Sequence, residues 1–246
     1  SIGEGTDERN FISISLDQSL DFIPVIHKFE ASYRFLGGNE QTLWFFSNLD
    51  APNGRILSLE INDADFEWNE LIAEKQFPIS SASIAGDKLI INYLKDTLSQ
   101  VEFYDLNGNF IEKLPFKGLG TLSGFYGKLD NKVSYFEFSN FTSPPSIFEL
   151  DLDTLDYEIY WETKITDLDV SNYESNLRFY KSKDGTDIPL HIAHQKGLNI
   201  TKDTPVLLYG YGGFNISILP YFSKTFYIWI KSGGVLAVAN LRGGAE

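Results

Sequence analysis

The sequence contains no cysteine and no methionine, and its 20 basic residues are outnumbered by 34 acidic ones. The lack of cysteine excludes disulfides and thiolate metal sites. The net charge of -14 disfavours binding to nucleic acid and to anionic membrane surfaces, because both attract basic proteins. No apolar run reaches the roughly 18 residues of a membrane-spanning helix. The 246 residues include 15% aromatics, which indicates a globular, β-rich protein with a sizeable core.

Two further absences concern what this chain can do alone. Position 1 is serine and no methionine occurs anywhere, so we expect a processed product or a piece of a longer protein. The nucleophile elbow G-x-S-x-G, which presents the attacking serine in many hydrolases, does not occur in the sequence. A hydrolase nucleophile therefore cannot be assigned within these residues.

Strand-like apolar runs repeat through the middle of the chain with a spacing of about 45 residues. One series begins at Leu43, Leu89 and Val133, and a second begins at Ile56, Val101 and Ile147. Each repeat has room for four short strands separated by turn residues, which is the unit of a β-propeller blade. The alternative, a β-sandwich, gives no reason for a four-strand period. Three blades, preceded by part of a fourth at residues 11–16 and 22–29, predict a partial β-propeller of about three and a half four-stranded blades.

The pattern changes after Trp161. Two strand-like segments flank Asp184-Gly185, which predicts a hairpin with these residues at the turn. Residues 205–209 ("PVLLY") and 234–240 ("GVLAVAN") are apolar enough for strands buried on both faces. Between them, residues 220–231 predict a helix. Its apolar face would carry Phe222, Phe226, Trp229 and Ile230. Strand, helix and strand in this order predict the beginning of a parallel α/β sheet.

Neither the histidines nor the acidic run predicts a metal site. His191 and His194 lie three residues apart on a predicted strand and should point to opposite faces, and His27 is distant in sequence. We expect all three to be surface or hydrogen-bonded histidines. The run from Asp151 to Asp156 lacks the glycine and the glutamate of a calcium loop, so a solvated blade edge is the better interpretation.

Residues 209–215 ("YGYGGFN") place aromatic side chains inside a glycine-rich loop that follows a predicted buried strand. A dinucleotide-binding loop is disfavoured, because the third glycine and the acidic residue after the next strand are absent. In an α/β-hydrolase the loop after the third strand carries an oxyanion donor, and here the hairpin supplies strands one and two. A tyrosine hydroxyl could serve as that donor, with glycines giving a substrate room to approach. The alternative is that the tyrosines pack and the glycines only form a tight turn.

At these residues the sequence resembles the prolyl oligopeptidase family. Residues 205–218 ("PVLLYGYGGFNISI") and 233–246 ("GGVLAVANLRGGAE") look like the start of the family's peptidase domain, and residues 180–197 are similar to the hairpin before it. Residues 1–7 ("SIGEGTD") look like a strand of the fourth blade of the family's seven-bladed propeller. The resemblance covers the whole chain. It implies a serine peptidase whose α/β-hydrolase domain is capped by that propeller and which cleaves short peptides after proline, without a cofactor.

The resemblance also implies roles for individual residues. Tyr211 matches the tyrosine whose hydroxyl helps to form the oxyanion hole, and Phe214 matches an aromatic residue beside the substrate proline. Thr6 falls where family members can have a cysteine facing the substrate cavity, which leaves its role open. The serine, aspartate and histidine of the catalytic triad would lie beyond the end of this chain. We therefore expect this chain alone to be inactive.

Two hypotheses follow. The first is a fragment of a proline-specific serine peptidase, with residues 1–168 as a partial propeller and residues 169–246 as the truncated start of an α/β-hydrolase domain. Its partners would be short proline-containing peptides and the remainder of its own parent chain, with neither nucleic acid nor membrane. The second is a non-catalytic binding or interaction protein built on a propeller. We expect a cytoplasmic location, with the periplasm as the alternative.

Overall fold

A computed structural model describes residues 1–15, 21–61, 66–166 and 168–244. Their strands form five sheets. The first sheet has three strands, β1 (Ile2–Gly3), β2 (Asn10–Ile14) and β3 (Ile23–Ile26). Of the predicted strand over residues 11–16, Leu16 lies outside the described residues, and the strand predicted over residues 22–29 is shorter than expected.

Three four-stranded antiparallel sheets follow, each built from four consecutive strands. The second sheet contains β4 (Tyr33–Gly38), β5 (Thr42–Ser47), β6 (Arg55–Ile61) and β7 (Phe66–Ile72). The third contains β8 (Ile79–Ala85), β9 (Lys88–Lys95), β10 (Leu98–Asp105) and β11 (Phe110–Lys113). The fourth contains β12 (Thr121–Tyr126), β13 (Val133–Ser139), β14 (Ser146–Asp151) and β15 (Tyr157–Glu162). The predicted four-strand repeat is confirmed.

Each pair of successive sheets shares one hydrophobic core. The core between the second and third sheets contains Trp44, Ile56 and Ile91, and the core between the third and fourth contains Phe103 and Phe136. A third core joins the first two sheets. A row of sheets packed face to face is the arrangement of propeller blades, whereas a sandwich has two sheets around one core. The structure is thus consistent with a partial β-propeller.

The last sheet is mixed and differs from the others. It contains β16 (Tyr173–Lys181), β17 (Asp187–Gln195), β18 (Val206–Tyr211) and β19 (Val235–Asn240), with helix α1 (Lys224–Lys231) between β18 and β19. The strand order is β16-β17-β19-β18, and only β18 and β19 are parallel. The predicted hairpin turn at Asp184-Gly185 is confirmed, with Gly185 at a φ of 87°. No α/β-hydrolase part is visible among the described residues, so the predicted start of such a domain stays a prediction.

The sequence-based prediction of helix α1 is wrong at its beginning. The sequence predicts a helix from Pro220, but α1 begins at Lys224, so Phe222 precedes it. Two hydrogen bonds to the fourth sheet hold this segment outside the helix. Thr121 Oγ1 donates to the Pro220 carbonyl oxygen at 2.7 Å, and the Phe222 amide donates to Ser139 Oγ at 3.1 Å. Partners distant in sequence thus satisfy backbone groups of this segment.

The prediction for residues 205–209 is wrong in a different way. A strand forms there, but β18 lies at the edge of the mixed sheet and is exposed along most of its length rather than buried on both faces. The exposed fraction of Leu208 is 69%. In contrast, β19 lies between β17 and β18 and is buried at every position, as predicted.

Side chains of the third and fourth sheets reach into the mixed sheet. Phe141, in the turn between β13 and β14, is fully buried in a core with Leu236 and Val238 of β19. Thr97, in the turn between β9 and β10, lies 2.6 Å from His191 of β17 through Oγ1 and Nε2. Burial lowers the pKa of His191 to about 4. The blades and the mixed sheet are therefore joined by a buried apolar contact and a buried hydrogen bond.

The other histidines and the acidic run match their predicted structural roles. His194 Nδ1 lies 2.8 Å from the Gln195 carbonyl oxygen, and His27 is exposed. Asp151 accepts the amides of Asp153 and Thr154, both at 2.8 Å, in the turn between β14 and β15. Within the described residues, no three His, Asp or Glu side chains cluster as metal ligands would, and no helix has both the length and the apolar character to cross a membrane.

Candidate functional site

The candidate site is the glycine loop, defined here as residues 210–215 at the end of β18. Phe214 and Asn215 have φ values of 52° and 58°, in the left-handed region that residues other than glycine rarely adopt. Two hydrogen bonds of 3.0 Å hold this conformation, from the Ile216 amide to the Gly213 carbonyl and from the Asn215 amide to the Gly243 carbonyl. Such strain costs on the order of 1–3 kcal/mol per residue and tends to occur at functional sites.

The glycine loop packs directly on the RGG segment, defined here as residues 241–244 ("LRGG"). A Cβ atom on Gly212 would lie 2.4 Å from the Arg242 carbonyl oxygen and 2.7 Å from that of Leu241. Gly243, at a φ of 109°, would place its own Cβ atom 2.8 Å from the Gly212 carbonyl oxygen. Only glycine allows the two backbones to approach this closely, so Gly212 and Gly243 set the geometry of the loop.

Tyr211 is the last residue of β18 and points its ring toward Gly213. The Tyr211 hydroxyl lies 3.5 Å from the position that a Gly213 Cβ atom would take. The exposed fraction of Tyr211 is 37%, and within the described part of the chain its hydroxyl makes no hydrogen bond. A phenol O–H that is half-exposed and unpaired can donate to an oxygen that approaches the loop.

Phe214 is held in solvent by the strained backbone, with an exposed fraction of 91%. A large apolar ring in this position buries little of its surface against the described residues. It can gain buried area when an apolar group binds against it. Tyr211 and Phe214 are thus two partly or largely exposed side chains in one short loop.

The RGG segment is tied to the hairpin turn, defined here as residues 182–186. The Arg242 guanidinium pairs with Asp184 through Nη1 and donates from Nη2 to Ser182 Oγ at 3.2 Å. Hydrogen bonding to Arg242 lowers the pKa of Asp184 to about 2. Sequence reasoning missed this pair because the two positions are 58 residues apart, although each lies in a segment that resembles the family.

Other features lie away from the loop. Thr6 is exposed in the turn between β1 and β2, in the first sheet rather than the mixed sheet. A cavity of about 440 Å³ lies between the first and second sheets, and its lining includes Arg55 and Trp68 but no residue of the glycine loop. We take the glycine loop as the candidate site because of its side-chain chemistry, and the volume of this cavity does not change that choice.

Comparison with known proteins supports the family resemblance that the sequence indicates. The family model described as "Prolyl oligopeptidase, N-terminal beta-propeller domain" matches residues 1–163. The chain is 37% identical over 247 aligned residues to the prolyl endopeptidase of Elizabethkingia meningoseptica, which covers all of this chain and 35% of that protein. The chain therefore spans about a third of the length of such relatives.

Solved structures agree with this match. In a study of two prolyl endopeptidases and the role of their inter-domain dynamics in catalysis and specificity, one structure superposes with a TM-score of 0.83 at 34% identity, over 99% of this chain and 36% of the other. Prolyl oligopeptidase B of Galerina marginata, bound to a 35mer hydrolysis and macrocyclization substrate, superposes with a TM-score of 0.87 at 23% identity, over 98% and 35% of the two chains. At that identity the second likeness shows the fold alone.

Proposed function

Because this chain belongs to the prolyl oligopeptidase family, we propose that it is part of a serine peptidase that hydrolyses short peptides on the carboxyl side of proline. The observation that carries the proposal is the strained glycine loop at the end of edge strand β18, which has a tyrosine hydroxyl unpaired within the described residues and an exposed phenylalanine ring. Hydrolysis of a peptide bond needs a hydrogen-bond donor for the carbonyl oxygen, and binding of a proline ring needs an apolar surface.

In this proposal Tyr211 donates a hydrogen bond to the oxyanion. When the serine attacks the scissile carbonyl, negative charge develops on the carbonyl oxygen, and a donor already in place stabilises that charge without reorganising. No hydrogen bond to the described part of the chain has to be broken for the hydroxyl to donate, and its 37% exposure leaves it accessible to a substrate. The close packing of Gly212 on the Arg242 carbonyl supports a fixed position for the strand end that carries it.

Phe214 lines the pocket for the substrate proline in this proposal. Proline is apolar and lacks an N–H donor, so a flat aromatic ring suits its face. The ring follows a backbone in the left-handed region, and its exposure supports a role in binding rather than packing.

We also propose that residues 1–168 are propeller and residues 169–246 begin the peptidase domain. The exposed apolar strand β18 supports this division, because such an edge is normally covered or blunted. The remainder of the parent chain would then cover β18 and supply the catalytic serine, aspartate and histidine. The 246-residue chain alone would not hydrolyse peptides, because a nucleophile needs an assembled base and orienting group.

The test is Tyr211→Phe in the full-length protein, with Tyr209→Phe as the matched control. We expect Tyr211→Phe to lower kcat for a proline-containing fluorogenic peptide roughly a hundredfold, about 3 kcal/mol, with a much smaller change in KM. Tyr209 is on the same strand with a similar exposure of 40%, so its substitution should leave kcat within about twofold. The 246-residue chain is assayed beside these variants, and we expect it to give only background release.

The outcomes separate the hypotheses. If the full-length protein cleaves no proline-containing peptide, a non-catalytic propeller protein becomes the better interpretation. If it cleaves such peptides but Tyr211→Phe behaves like Tyr209→Phe, the peptidase assignment holds and Tyr211 only packs.

A further inference from the structure

We propose that the ion pair between Arg242 and Asp184 positions the glycine loop, so that Arg242 is a positioning residue for the Tyr211 hydroxyl in the proposed reaction. This inference rests on the proposed function for its catalytic consequence. Its structural part rests only on contacts between the hairpin turn, the RGG segment and the glycine loop.

The hairpin turn is a rigid anchor. The Ser182 amide donates to the Thr186 carbonyl and the Gly185 amide donates to the Ser182 carbonyl, both at 2.9 Å. The two oxygens of Asp184 have separate partners, since Oδ1 accepts the Thr186 amide at 3.2 Å and Oδ2 faces Arg242. The carboxylate therefore cannot rotate freely, and the position of the guanidinium follows from the position of the turn.

The guanidinium in turn fixes the RGG segment by two contacts. One is the pair with Asp184, and the other is the bond from Nη2 to Ser182 Oγ. A planar guanidinium with two hydrogen-bond partners in one turn has a defined orientation, which a lysine ammonium would not have. The backbone of Arg242 is thereby held at the point where its carbonyl oxygen meets Gly212.

The RGG segment passes this constraint to the glycine loop. Gly212 is in close backbone contact with Arg242, and Gly243 accepts the Asn215 amide at 3.0 Å. Tyr211 directly precedes Gly212, so a shift of the RGG segment would displace the strand end that carries the hydroxyl. A misplacement of about 1 Å can lower turnover by as much as a hundredfold.

Stability gives no strong reason for this pair. The Arg242 and Asp184 side chains are 59% and 51% exposed, and exposed ion pairs typically add less than about 1 kcal/mol. The same hairpin offers a matched control, because Lys181 pairs with Asp187 at 2.7 Å with exposures of 65% and 57%. This second pair joins the two strands of the hairpin and does not involve the RGG segment.

The experiment compares Arg242→Ala, Asp184→Ala, the double variant and Asp187→Ala in the full-length protein. We expect the first two each to lower kcat about tenfold with KM within about twofold, and the double variant to be no slower than either single one. Asp187→Ala should leave kcat within about twofold. Arg242→Lys, which keeps the charge but not the planar guanidinium, should recover only part of the loss.

A second readout does not depend on activity. Hydrogen exchange of the Asn215 amide, which bonds to Gly243, should be faster in Arg242→Ala and Asp184→Ala but not in Asp187→Ala. If the full-length protein cleaves no peptide, the proposed function fails and exchange alone decides whether the pair positions the loop. The inference is overturned if an active protein keeps its kcat in Arg242→Ala, if Asp187→Ala has the same effect, or if exchange is unchanged.

Discussion

Two neighbouring strands of the mixed sheet, β18 and β19, have similar sequences and opposite environments. They read "VLLYGY" and "VLAVAN" and pair in parallel from Val206 with Val235 onward. Every residue of β19 is buried, whereas β18 is exposed at all but one position. Leu236 is fully buried, and Leu208 is 69% exposed. Apolar composition therefore does not decide burial in this sheet.

Position in the sheet explains the difference. Strand β19 has a hydrogen-bonded neighbour on each side, and its Leu236 and Val238 share a buried core with Ile230 of α1 and with Phe141 from the turn between β13 and β14. Among the described strands, β18 has a neighbour, β19, on one side only. The exposed strand is also the one that ends in the glycine loop. In this sheet the stable centre is β19, and the candidate chemistry lies at its edge.

The largest effect should come from uncovering β19. Phe141→Ala removes a fully buried ring from the core that contains Leu236 and Val238, and we expect it to lower the free energy of unfolding of the chain by about 4 kcal/mol. Urea unfolding measures this change. The control is Phe179→Ala, which removes a ring that is 49% exposed on β16 and should lower stability far less. Equal losses would mean that the Phe141 turn does not cover β19.

A somewhat smaller loss is expected within β19 itself. Leu236→Ala should lower the free energy of unfolding by about 3 kcal/mol, because the site is enclosed by β17, α1 and Phe141 and cannot collapse around the cavity. The same urea titration applies. A loss below about 1 kcal/mol would contradict the enclosed position assigned to this strand.

Acidification tests β17, the strand that pairs with β19 on the side opposite β18. Burial lowers the pKa of His191, which pairs with Val238, from 6.5 to about 4. Between these values the unfolded chain binds a proton that the folded chain does not, so stability falls as the pH falls. From about pH 7 to about pH 5 the loss from this group should be about 2 kcal/mol. In His191→Gln the pH-dependent loss should shrink by that amount, and an unchanged pH profile would contradict the assignment.

The smallest effect is expected on β18. Leu208→Ala in the 246-residue chain should change the free energy of unfolding by less than about 0.5 kcal/mol, because the side chain is already mostly in water. Comparison with Leu236→Ala in the same titration measures the contrast between the two strands directly. A loss of about 2 kcal/mol or more would show that β18 is buried in solution, for example by association of the chain.

Much of the blade region could be predicted from the sequence. The runs beginning at Leu43, Leu89 and Val133 became β5, β9 and β13 because alternation and turn residues act over short distances. The glycine loop was also recognisable, since its glycines and aromatics are adjacent in sequence. Whether Tyr211 and Phe214 act on a substrate stays a prediction.

The features that sequence reasoning missed depend on residues far apart in the chain. Helix α1 begins late because Thr121 and Ser139 bond to the segment before it. Arg242 meets Asp184 only because the mixed sheet brings the hairpin turn beside the RGG segment. Neither contact has a local signal.

The sequence by itself determined the strands, their period, the turn at Asp184-Gly185 and the residues of the glycine loop, because each depends on neighbours within a few positions. Only the tertiary structure decided that β19 is enclosed and β18 exposed, that His191 is buried against Thr97, and that Gly212 rests on the Arg242 backbone. Burial and contact depend on which distant surfaces meet, and hydrophobic patterning is the same for a strand whether or not anything covers it.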